Sequence, residues 1–194
     1  NLSFFASLLS GGLDDVNRRF VITYYVSDNT VKVQEPPIRN SGFNGGLFLS
    51  RREVKMSPSS NSGEYMRPVD MYIGCELSLL KHKFLLLDAN DSTFRWLEDQ
   101  FYPRSSFYTI LDKTRPLLLE DVQNGKLAAL FAAYEKAPEE SGLFTKGTFR
   151  TVLDSYGLYG NKEGQVTEHE IITIMRGGGN KEPYFSYIKL IEQF

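Results

Sequence analysis

Apolar residues change their spacing part-way along this chain. Up to about residue 100 they gather in short runs rich in β-branched and aromatic side chains, and from 126 to 194 they recur at helical intervals. A strand-forming part followed by a helix-forming part restricts the chain to an α+β architecture with two cores. Its 194 residues leave room for one ordinary domain or two small ones. The 41% hydrophobic content excludes a chain that is disordered throughout.

In the first part, Arg19-Phe20-Val21-Ile22-Thr23-Tyr24-Tyr25-Val26 reads as a strand, Ser27-Asp28-Asn29-Thr30 as a turn, and Val31-Lys32-Val33-Gln34-Glu35 as its hairpin partner. Pro36-Pro37 ends that strand, because proline donates nothing to a ladder. Residues 40–46 read as a glycine-rich loop leading into a strand at Leu47-Phe48-Leu49, and the composition of 57–63 predicts a polar, mobile loop. Glu76–Leu80 and Phe84–Asp88 make a second hairpin around a turn at Lys81-His82-Lys83. A short helix starts near Thr93, with Asp91 or Ser92 as its N-cap. Residues 2–9 resemble the core of a signal peptide, but no basic stretch precedes them. They read instead as a fragment start or a strand lying on a core. Several strands and one helix suggest a small β-roll or barrel.

Residues 101–125 contain Pro103 and Pro116 and read as a connector. Its aromatics Phe101, Tyr102, Phe107 and Tyr108 are suited to packing the two domains together or to facing a partner. Beyond it, Leu127, Leu130, Phe131 and Tyr134 form one helical stripe, and Phe149, Val152, Leu153 and Tyr156 a second. Thr167 and Glu170 form a capping box that opens a third helix, stopped by Gly177-Gly178-Gly179. Residues 184–194 are strand-like, then helical. The expected domains are 1–100 and 126–194.

Charge and chemistry narrow the function. A net charge of −2, evenly spread, gives no basis for binding nucleic acid or anionic membranes as a whole. The single cysteine, Cys75, suits a reducing compartment, and no apolar run is long enough to span a bilayer. The expectation is a soluble intracellular protein. Cys75, His82 and His169 show no spacing for a nucleophilic pair or a zinc site. The glycine-rich stretches read as backbone turns, since neither lies between a strand and a helix as a phosphate loop does. No catalytic residues and no cofactor are therefore expected.

Two features remain. Residues 32–55 hold Lys32, Arg39, Arg51, Arg52 and Lys55 against only Glu35 and Glu53, which reads equally as a surface for an acidic partner or as a solvated strand edge. A calcium-loop frame with Gly164 at position 6 places Val166 at 8 and Glu170 at 12, with Asn161 and Glu163 as oxygen donors. Tyr159 then occupies position 1 and supplies no carboxylate. A second frame, with Gly142 at 6 and Phe144 at 8, has Ala137 at 1 and Thr148 at 12. Both loops keep the skeleton of a calcium site and lack its charge, so a metal-free pair is expected.

The strings Phe20–Tyr25, Asp28–Val31 and Glu35-Pro36-Pro37-Ile38-Arg39-Asn40-Ser41-Gly42 resemble the DM-ten domain of ciliary and flagellar proteins. The resemblance continues through Gly45–Leu49, Tyr72-Ile73-Gly74 and His82–Asn90. With the degenerate helix pair behind it, the chain is similar to the last module and tail of the EF-hand-containing ciliary proteins of the myoclonin and protofilament-ribbon type. The resemblance implies a pleckstrin-homology-like β-barrel capped by a helix, then an all-α EF-hand-like domain. It further implies a non-catalytic inner component of axonemal doublet microtubules that binds tubulin or neighbouring inner proteins. The alternative is a calcium-responsive adaptor acting through the helix pair.

Overall fold

Alternation of apolar and polar residues in the first hundred positions builds a single antiparallel sheet. The computed structural model describes residues 1–9, 15, 17–39, 42–55, 64–100, 107–134, 142–177 and 185–193. It divides into two compact units, Asn1–Phe101 and Tyr102–Phe194.

The sheet of the first unit contains β1 (Leu2–Leu8), β2 (Arg19–Tyr25), β3 (Thr30–Glu35), β4 (Gly46–Arg52), β5 (Glu76–Leu79) and β6 (His82–Ala89) in the order β4-β3-β2-β1-β6-β5. The segment at 2–9 is thus a central strand, paired with both β2 and β6. Leu2, Phe4, Ala6, Phe20, Ile22, Tyr24, Val31, Val33, Phe84 and Leu86 point to one buried face. Three strands separate β4 from β6, yet the Phe48 ring lies 5.0 Å from Phe20 and 5.8 Å from Phe84. The sheet therefore curls into a half-barrel. Two register shifts interrupt the β3–β4 ladder, and such bulges make β4 a poor template for edge-to-edge association.

Helix α1 (Asp91–Gln100) buries Thr93, Phe94 and Leu97. Thr93 Oγ1 accepts the Ser3 amide at 2.7 Å, tying the helix to β1. The N-cap is Asn90, one residue before the predicted candidates: its side-chain oxygen accepts the Thr93 amide at 2.9 Å. The β5–β6 turn also differs from expectation. It is Leu80-Lys81, and His82 and Lys83 already belong to β6. Leu79 pairs with His82, leaving two residues for the connection.

The second unit contains α2 (Phe107–Gln123), α3 (Lys126–Ala133), β7 (Leu143–Phe144), α4 (Lys146–Ser155), α5 (Glu168–Gly177), β8 (Phe185–Ser186) and α6 (Tyr187–Ile191). Most of the predicted connector is therefore helix. Ile110, Leu111, Thr114 and Leu118 bury one face of α2, while Pro116 is exposed on the other. Burial of that stripe outweighs the hydrogen bond that Pro116 removes. The aromatics at 101 and 102, and the side chains of 107 and 108, lie outside the described residues, as does the polar loop at 57–63.

Two helix–strand–helix segments, α3-β7-α4 and α5-β8-α6, meet where Phe144 pairs with Phe185. Their ends match. Thr145 caps α4 by accepting the Thr148 amide, and Ser186 caps α6 by accepting the Lys189 amide. Phe131, Phe144, Phe149 and Tyr187 pack at the centre, with the Phe131 and Tyr187 rings stacked at 5.3 Å.

Candidate functional site

The long loop between β3 and β4 is fixed by its own sequence. Arg18 donates to Glu35 through Nε at 2.7 Å and Nη2 at 2.6 Å, and to Asp15 through Nη1 at 2.7 Å. Its guanidinium also lies 4.4 Å from the centre of the Phe43 ring. Bidentate pairing with Glu35 raises the Arg18 pKa further above its ordinary value. At Gly45, with φ +66°, an added Cβ would sit 2.8 Å from the Glu35 carbonyl oxygen and 2.9 Å from the Pro37 nitrogen. The E-P-P string and the glycines after it therefore shape this loop around an internal ion pair.

The five basic residues of the segment do not form one patch. Lys32 is half-buried on β3 opposite Thr23, and Arg39 is exposed beyond the two prolines. Arg51 stacks 3.7 Å from the centre of the Tyr25 ring and bonds to Thr30 Oγ1 at 2.8 Å and to the Asp28 carboxylate. Hydrogen bonding from Thr30 and then from Arg51 lowers the Asp28 pKa. Only Arg52 and Lys55 converge. With Glu53, Val54, Tyr65 and Leu80 they line a cavity of about 500 Å³ where β4 ends. Tyr65 and Leu80 were not among the expected site residues. Their positions depend on a bridge between Lys55 and Tyr65 and on the tight β5–β6 turn, neither of which shows in the sequence pattern.

The calcium-loop candidates are also separated by other bonds. Asn161 and Glu163 are exposed in the α4–α5 connection, where Tyr159 bridges to Val166 of the same segment. Glu170 accepts the Thr167 amide at 2.8 Å and Lys113 Nζ at 3.1 Å on both carboxylate oxygens. Glu168, two residues earlier, accepts Arg150 at 3.0 and 2.5 Å and pairs with Lys146 at 3.3 Å. Those bonds hold the Glu168 pKa below its usual value although partial burial opposes them. Among the described residues, no three carboxylate, histidine or cysteine side chains gather as metal ligands.

Cys75 and the histidines are apart as well. Cys75 faces Leu86 across the β5–β6 hairpin, four residues and about 13 Å of strand from His82. Burial pushes the thiol up to about 11, which disfavours the nucleophilic thiolate. His82 packs edge-on to Phe48 at 5.0 Å, and His169 is buried in α5 of the other unit. No described helix is long and apolar enough to cross a membrane.

Residues 1–93, the half-barrel and the start of α1, match the DM10 domain family. This chain carries a DM10 domain. The DM10-containing chain is 33% identical over 182 residues to EF-hand domain-containing family member C2 of Bos taurus, covering 90% of this chain and 23% of the relative. The corresponding Danio rerio protein is 34% identical over 182 residues, with the same coverage of both chains. EF-hand domain-containing protein 1 of Homo sapiens is 34% identical over 98 residues, 50% of this chain and 15% of the relative. The chain thus spans about a quarter of the length of the C2 relatives. These names describe non-enzymatic kinds of protein.

Proposed function

We propose that this chain is a non-catalytic structural component of ciliary or flagellar doublet microtubules, adhering to tubulin or neighbouring inner proteins. The observation that carries the reading is that similarity to the C2 relatives runs through both units, over 90% of the chain, with the DM10 domain at its start. Two compact units, each with its own buried core, suit a protein whose task is to hold position in a lattice. On this reading the half-barrel and α1 form a pleckstrin-homology-like module, and its partner surface is the basic segment, chiefly Arg52 and Lys55.

The helical unit is read as a calcium-free EF-hand-like pair. Phe144 pairs with Phe185, and if these are taken as the eighth positions of two loops, the twelfth positions fall on Thr148 and Lys189. Neither supplies the bidentate carboxylate that calcium needs. On this reading the second frame is counted over 178–189, and Glu170 serves as a helix cap. The buried stripe of α2 packs into the same core as α3 and α5, where a target helix of a calcium-responsive adaptor would dock. That occupancy counts against the adaptor role.

The reading is tested by expressing the full-length protein with a fluorescent tag in ciliated cells and extracting them with detergent. Retention along the axoneme after extraction is expected. Uniform cytosolic signal, lost on extraction, contradicts the reading.

A further inference from the structure

Leu80 occupies an unfavourable place twice over. It is the first residue of a two-residue hairpin connection, with φ +58°, where glycine is favoured and branched side chains are rare. It is also 49% exposed, so core packing does not explain the leucine. A residue kept against both backbone preference and solvation points to an external contact. Beside it in the cavity lining stands Tyr65, 47% exposed, and buried Val54 completes the apolar lining.

The charges at the same place are available. Arg18 and Arg51 are neutralised by Glu35 and Asp28, whereas among the described residues no carboxylate pairs with Arg52 or Lys55. Among the described residues, Glu53 is the single acid in the lining. β5, which ends beside Leu80 and carries no bulge, has a described neighbour on one side only, leaving backbone donors and acceptors for an added strand. A volume of about 500 Å³ is of the size that admits a few side chains.

We infer that this cavity is a docking site for an extended acidic polypeptide segment that places one large apolar side chain against Leu80 and Tyr65 while its carboxylates meet Arg52 and Lys55. The inference rests on the reading of the basic segment as a partner surface and narrows it to two cations and two apolar residues. A polypeptide suits the site better than a bilayer. Two cations with a carboxylate between them are a small charge excess for holding a lipid surface, while the apolar lining rewards a side chain.

The test is fluorescence anisotropy with a labelled nonapeptide of glutamates around one central phenylalanine. Saturable binding is expected, weakening as salt rises and about tenfold weaker for an all-glutamate peptide. Leu80→Gly removes the side chain and suits the backbone, so the thermal midpoint should hold or rise while peptide affinity falls about tenfold. The Arg52→Glu, Lys55→Glu double variant should lose affinity to a similar extent or more. The inference is overturned by absent or variant-insensitive peptide binding, or by a lower thermal midpoint in Leu80→Gly. It is also overturned if vesicles with 30% phosphatidylserine bind in a manner those variants abolish while the peptide does not bind. The assay contains no microtubule, so failure here leaves axonemal residence standing, and loss of axonemal retention leaves this site standing.

Discussion

Lys113 reaches Glu170 at 3.1 Å, joining the middle of α2 to the first turn of α5. The same carboxylate completes a reciprocal capping box, accepting the Thr167 amide while Thr167 Oγ1 accepts the Glu170 amide. A side chain that satisfies a helix terminus and a lysine at once is part of the framework of its unit. Glu170→Ala should destabilise the helical unit by about 1–2 kcal/mol in denaturant titrations. Titration calorimetry with millimolar Ca²⁺ should show no heat for either wild type or Glu170→Gln. A micromolar site that disappears in Glu170→Gln contradicts this role.

Separate cores predict separate responses. Leu118 is 2% exposed in the core of the helical unit, and the single tryptophan, Trp96, lies on α1 of the first unit. Leu118→Ala should cost the helical unit about 2–4 kcal/mol, read as an earlier loss of helical circular dichroism in urea. The Trp96 fluorescence midpoint should remain where it is. A matching shift of both signals is the opposing result.

The Arg18–Glu35 pair holds the β3–β4 loop, and Glu35 has only 10% of its side chain exposed. Arg18→Ala leaves that carboxylate desolvated without its partner, so a loss of about 2–3 kcal/mol is expected from the first unit by Trp96 fluorescence. Glu35→Gln, which keeps an acceptor for Arg18, should lose less. Equal losses contradict the ion-pair account.

Acid should weaken the helical unit in a defined window. Burial pushes His169 down to about 4 from an ordinary value near 6.5, with Glu170 opposing and Arg176 assisting. Between those values the unfolded chain binds the proton and the folded unit does not, so stability falls as pH drops from about 6.5 to about 4. The loss should approach about 3 kcal/mol by pH 4 and flatten for this group below it. The Glu168 pKa, held low chiefly by Arg150 against the effect of burial, adds a further loss at more acid pH. His169→Gln should remove the upper part of the pH dependence in helical circular dichroism. An unchanged profile in that variant contradicts the assignment.

Alternation made the sheet legible: Phe20, Ile22 and Tyr24 against Val31 and Val33 predict both the strands and the face they bury. The helix stripes at Phe131 and Phe149 were equally plain. Pro116 concealed α2, because a proline in an exposed position of a helix reads the same as one that ends it. The calcium frame at 159–170 rests on spacing alone. Gly164 with Glu170 reproduces the loop spacing, while Phe185-Ser186 reads as strand-like in the sequence without showing that Phe144 is its partner. At the candidate site, charge counting found the segment but could not separate its members. Packing of Arg51 on Tyr25 and the bulges in β4 decide that Arg52 and Lys55 share the cavity. Leu80 escaped notice because a turn residue with positive φ is ordinarily announced by glycine or asparagine.

Adhesion to the doublet wall is tested most directly by co-sedimentation of the full-length protein with purified axonemal doublet microtubules across a salt series. Pelleting with the doublets at low and moderate ionic strength is predicted, reduced by the Arg52→Glu, Lys55→Glu pair. A protein that stays in the supernatant at every ionic strength contradicts the account.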